Sequence, residues 1–128
     1  MLRLVFLAGL LLCQSVSAAS FPFAIRATRL PGNPIVREEM LPGEDGASIN
    51  GPSLIRVPDW VQNPLGRYYL YFAHHNGKYI RLAYADRLAG PWRLHPGGVL
   101  PLGSQKALAG HIASPEAVVD AAGRRILL

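Results

Sequence analysis

One block of this sequence occurs twice, and the recurrence limits the available folds more than any other feature. Gly51-Pro52-Ser53-Leu54-Ile55-Arg56 is echoed by Ser114-Pro115-Glu116-Ala117-Val118-Val119, and Gly66-Arg67-Tyr68-Tyr69-Leu70-Tyr71 by Gly123-Arg124-Arg125-Ile126-Leu127-Leu128. Pro52 to Pro115 spans 63 residues and Gly66 to Gly123 spans 57, so the second copy has a shorter internal loop. A unit of short strands recurring at this period is the mark of a β-propeller blade. Such a unit cannot bury both of its faces alone and needs neighbours.

The first unit reads as an antiparallel meander. Residues 53–57 form a β-rich run stopped by Pro58, and a loop follows over 59–66. Residues 67–74 are apolar on both faces, which predicts a strand covered on both sides. Asn76-Gly77 supplies a tight turn, because this pair tolerates positive φ. Residues 79–85 give a third strand, Gly90-Pro91 ends a turn, and a fourth strand starts at Trp92. The expected fold class is therefore all-β. One blade covers about residues 50–102 and the start of a second about 111–128, roughly one and a third blades in all. Because the chain stops inside an apolar strand, the expectation is an N-terminal part of a longer protein.

Ahead of the meander stand two unlike segments. Arg3 precedes an uncharged apolar run over residues 4–12, followed by Val16-Ser17-Ala18. This order of positive, apolar and small residues reads as a secretory signal peptide over 1–18. The run is too short for a bilayer span, which needs about 20 apolar residues. The expected location is secreted or periplasmic, with no membrane attachment after cleavage. The cleaved chain loses Cys13, the only cysteine, so no disulfide staples it. Residues 19–49 are rich in Pro and Gly and read as an extended lead-in, with Ile35-Val36 as its one strand candidate.

The net charge is +5 and the basic residues are scattered singly, apart from Arg124-Arg125. Nucleic-acid binding normally clusters them, so no nucleic-acid partner is expected. There is no Gly-rich phosphate loop and no Gly-x-Ser-x-Gly elbow, so no cofactor is expected.

Strand polarity decides which polar residues can meet. In an antiparallel unit the start of the first strand lies beside the end of the second. Asn50 and Ser53 should therefore approach His74 and His75, and the second unit should bring His111, Ser114 and Glu116 to the same rim. Asn50, His74, His75 and His111 are the candidate ligand-binding residues, and Glu116 is the candidate catalytic carboxylate. Each has a plainer alternative. His74 and His75 could be a solvated hairpin end, His111 a turn cap, and Glu116 a surface glutamate. The histidines show no metal-ligand spacing, so no metal is expected. His95, on the outer strand, is expected to be solvated, and Trp92 to pack between units.

Gly51-Pro52-Ser53-Leu54-Ile55-Arg56-Val57, Tyr68-Tyr69-Leu70-Tyr71-Phe72-Ala73-His74 and Ala83-Tyr84-Ala85-Asp86-Arg87-Leu88-Ala89-Gly90-Pro91-Trp92 resemble the first blade of five-bladed propeller glycosidases of the glycoside hydrolase family 43 type. Ala113-Ser114-Pro115-Glu116 is similar to the opening of that family's following blade. The resemblance covers about residues 50–128. It implies hydrolysis of glycosidic bonds in plant or algal polysaccharides, usually with inversion, by a base, an acid and a third carboxylate that tunes the acid. Inversion requires acid and base ~6.5–9.5 Å apart, with room for water. Glu116 matches the tuning position. The family's base is an Asp directly before the Pro that opens the first blade, and here the segment reads Asn50-Gly51-Pro52. Three functions follow as expectations: a secreted glycoside hydrolase, a non-catalytic glycan-binding module, or a non-functional fragment. In the first two the partner is carbohydrate.

Overall fold

The computed structural model describes residues 24–106 and 108–128. The expected signal peptide, with Cys13, lies outside the described residues. The fold is all-β. Strands β1 (Asn50–Arg56), β2 (Tyr68–Ala73), β3 (Tyr79–Ala85) and β4 (Arg93–Leu94) form an antiparallel sheet in that order, and β5 (Leu100–Pro101) also pairs with β3. Strands β6 (Val118–Asp120) and β7 (Arg125–Leu127) form a separate antiparallel hairpin. The expected meander is present. The described residues contain no closed barrel.

The outer strand is split rather than continuous. His95 N–H donates to Leu82 O and Val99 N–H to Ile80 O, both at 2.8 Å, so the ladder resumes after a gap. Pro96 has no N–H to give, and Gly97 and Gly98 both have positive φ, so the chain bulges away between them.

The period-two alternation of β2 and β3 sorts the core into two layers. Tyr69, Tyr71 and Ala73 join Ile55, Val57, Ile80, Leu82 and Ile112 on one face. Val119 and Ile126 of the β6–β7 hairpin pack onto that face. Leu70, Phe72, Ala83 and Ala85 join Trp92 and Val36 on the other. Phe72 is only 1% exposed, so β2 is covered on both sides as its composition demanded.

The cover on the second face comes from residues ahead of the sheet. The lead-in is not uniformly extended, since it holds two 3-10 turns, Glu38–Met40 and Gly43–Ala47. Ile35-Val36 is not a strand, and Val36 instead plugs the lead-in face of the sheet together with Leu41. With Pro34 directly ahead and a turn directly after, the pair has no length in which to build a ladder. Trp92 packs into the same layer and its indole N–H reaches Leu88 O at 3.1 Å.

Candidate functional site

The start of β1, the end of β2 and the approach to β6 do meet at one rim. Asn50 is in register with Ala73, and the register shifts between Asn50 and Ser53. Gly51 sits in that irregularity with φ +59°, and a Cβ there would lie 2.5 Å from Ser114 Cα. Only glycine allows both the left-handed backbone and this approach. Period two places Ser53 on the face of Ile55 and Val57, toward the second unit, and its Oγ accepts the Ala117 N–H at 2.9 Å. The two copies of the repeated block are thus joined one position out of step, since Ser53 aligns with Glu116 and Ala117 with Leu54.

Ser48, which the sequence pattern did not single out, organises the histidine side of the rim. Its hydroxyl accepts hydrogen bonds from Asn50 Nδ2 and from the His75 backbone N–H, both at 3.2 Å. The imidazole of His111 donates through Nε2 to His75 O at 2.6 Å. His74 turns inward on its own hairpin, where Nδ1 accepts the Asn76 N–H at 2.9 Å. In the neutral ring this leaves Nε2 as the protonated nitrogen. Ser48 and the His75 backbone thus link Asn50, His75 and His111 at one rim, and His74 adjoins them in the chain. Glu116 belongs to the same region through its neighbour Ala117, but it precedes β6, its side chain is exposed, and among the described residues it has no hydrogen-bond or ion-pair partner.

Beside this rim, on the lead-in face, lies a cluster that the sequence reading missed. Arg81 opposes Phe72 in the ladder and is 3% exposed. Its guanidinium donates to Asp45 Oδ1 at 3.2 Å and to Ser48 O at 3.0 Å. It also lies over the Phe72 and Tyr79 rings, 5.8 and 5.5 Å from their centroids. The Tyr79 hydroxyl donates to the second Asp45 oxygen. Burial, reinforced by that hydrogen bond, raises the Tyr79 hydroxyl above its ordinary pKa. Asp45 thus fastens the second 3-10 turn to β3. One signal was available: Arg81 is a lone charge inside an apolar strand, and such a charge requires a buried partner. The carboxylate that answers it lies 36 residues upstream, which no local pattern indicates.

A cavity of about 230 Å³ opens where this cluster meets the hairpin, lined by Glu44, Lys78, Asn76 and His74 as well as Asp45, Tyr79 and Arg81. A second, of about 310 Å³, lies between Leu41, Pro42, Phe72, Leu94 and His95. His95 is half-buried rather than solvated, and its Nδ1 is sealed from solvent without a partner among the described residues. Among the described residues no three His, Cys, Asp or Glu side chains are grouped closely enough to hold a metal ion. No helix among them is long and apolar enough to cross a membrane.

No family model matches the chain, and no solved structure matches it. An uncharacterized protein of Acanthamoeba polyphaga mimivirus is similar: 36% identical over 99 residues, covering 70% of this chain and 26% of that protein. The chain thus spans about a quarter of the length of the curated relative it matches.

Proposed function

We propose that this chain is the opening part of an exported, propeller-type protein that acts on polysaccharide, a glycoside hydrolase related to the family 43 type. The observation that carries the reading is the Ser53 Oγ to Ala117 N–H bond at 2.9 Å. It joins the first strand of one unit to the approach to the next, the adjacency that neighbouring blades around an axis require. Asn50, His74, His75 and His111 line the rim so formed, and the mouths of such axes are common ligand sites. Carbohydrate, offering hydroxyls to amides and imidazoles, suits that lining. Glu116 is the catalytic carboxylate of this reading, in the tuning role, and it has no other partner among the described residues.

The same rim favours a second reading, a glycan-binding module without turnover. The segment where the resemblance places the base reads Asn50-Gly51-Pro52 and carries no carboxylate, and the Asn50 amide cannot take a proton from water at neutral pH. Asp45 does not replace it, because both of its oxygens are engaged by Arg81 and Tyr79. Reducing-sugar release from a panel of plant and algal polysaccharides, by the intact protein carrying this chain, separates the two. Turnover that falls at least tenfold in Glu116→Gln supports the hydrolase. Saturable binding without turnover supports the module, and neither binding nor release defeats both.

A further inference from the structure

We infer that the 230 Å³ cavity beside the rim is a subsite for a single neutral sugar residue, bound by Glu44, Asn76, Lys78 and Tyr79. The inference rests on the carbohydrate reading above and gives it a second location, on the lead-in face of the sheet rather than at the junction of the two units.

Size argues first. Sites for drug-sized ligands run from about 300 to 1,000 Å³. At about 230 Å³ this one suits a single ring and is small for two.

The lining argues next. A sugar hydroxyl both donates and accepts, so its site needs acceptors and donors closely mixed. Glu44 offers only acceptors, Lys78 only donors, and the Asn76 amide offers both. Among the described residues neither Glu44 nor Lys78 is held in an ion pair. His74 Nδ1 is already satisfied by the Asn76 N–H, which leaves the other ring nitrogen for a ligand. Tyr79, whose ring carries the Arg81 guanidinium, adds apolar surface to the lining.

Preorganisation argues third. Asp45 and Arg81 hold one wall of the cavity by an ion pair buried on the arginine side and by the Tyr79 hydroxyl.

Charge selects among ligands. Two carboxylates, Glu44 and Asp45, face two cations, Lys78 and Arg81. The cavity therefore carries no surplus positive charge to favour a phosphate or a uronate.

The test is titration of the full chain with methyl β-D-xyloside, methyl α-L-arabinofuranoside, methyl β-D-galactoside and methyl α-D-galacturonoside, followed by calorimetry. At least one neutral glycoside should bind, and Glu44→Gln and Lys78→Ala should each weaken it at least fivefold. Both side chains are exposed, so both variants should melt with the parent, and Arg56→Ala, on the far end of β1, should bind normally. Tighter binding of the galacturonoside overturns the neutral assignment. Polysaccharide binding or turnover that neither variant alters overturns the subsite and leaves the functional reading standing. Failure of every glycoside and every polysaccharide to bind removes both.

Discussion

In β2, Tyr69 to Ala73 are all buried, whereas in β7, its counterpart in the repeated block, Arg125 and Leu127 are exposed and Ile126 is half-buried. The first copy is covered twice, by the β6–β7 hairpin on one face and by the lead-in on the other. The second copy is covered once. Its inner side chains Val119 and Ile126 rest on the first sheet, while Val118 and Leu127 are each 48% exposed. Two stretches with one pattern thus reach different ends because only one has two neighbours. A strand of this type does not carry its own stability. It is stabilised by whatever packs on its second face.

The sharpest way to break this comparison is to cut the same chemistry from both copies. Phe72→Ala removes the most deeply buried large side chain of the first sheet and should cost about 3–5 kcal/mol. Ile126→Ala, at a half-buried position, should cost about 1 kcal/mol, because little new cavity forms where water already reaches. Urea unfolding of the two variants checks this. Equal losses would mean that the two copies are equally packed.

A smaller effect tests what holds the lead-in as the second cover. Asp45→Asn leaves the shape intact but weakens two hydrogen bonds and leaves Arg81 without its counter-ion. Hydrogen bonds to charged groups contribute about 1.5–3 kcal/mol, and Asp45 is itself about one-third exposed. The expected loss is therefore about 2 kcal/mol. The readout that distinguishes a cover from a core residue is local: Trp92, in the layer beneath the lead-in, should become more accessible to a soluble fluorescence quencher. If the quenching is unchanged, Asp45 is not the fastening of this segment.

Much of the first sheet was legible in the sequence. The third strand coincides with residues 79–85, because Asn76-Gly77 marks one end and Asp86 the other, and the run between them is rich in β formers. A side chain at Gly77 would also run into the Ile112 carbonyl, so the turn glycine doubles as a seat for the second unit. The meeting of Asn50 with His75 was legible from strand polarity alone. The 3-10 turns were not, because a Pro- and Gly-rich stretch announces a break without saying what its few apolar residues will cover. Val36 is buried by a sheet that begins 14 residues later, which is tertiary information. Arg81 was visible as an anomaly, but its partner was not, since Asp45 reads as an ordinary turn residue. Glu116 illustrates the converse. Its place in the repeat suggested the first residues of a strand, yet β6 begins only at Val118, after the left-handed Ser114 has turned the chain.

The smallest expected effect concerns the less covered copy and acid. Asp120 Oδ1 accepts the Gly123 N–H at 2.9 Å and Oδ2 accepts from Arg125 Nε at 2.8 Å, which closes the turn between β6 and β7. The backbone N–H first, and then the arginine, hold the Asp120 carboxyl below its ordinary pKa of 3.8. A carboxyl whose folded pKa is depressed lends stability above its unfolded value and loses it as pH falls through the folded one. The hairpin should therefore loosen below about pH 4 while the first sheet, whose β2 and β3 lack carboxylates, does not follow until lower pH. The pair is open to solvent on the Arg125 side, so water and salt screen it and the effect is local. Amide protection factors for residues 118–127, set against those for 68–85 between pH 5 and pH 3, measure it. In Asp120→Asn the hairpin should be loose already at pH 5 and insensitive to further acid. Acid loosening that spreads equally through both regions would mean that the hairpin and the sheet unfold as one unit, and that the difference in burial between the two copies has no counterpart in their stability.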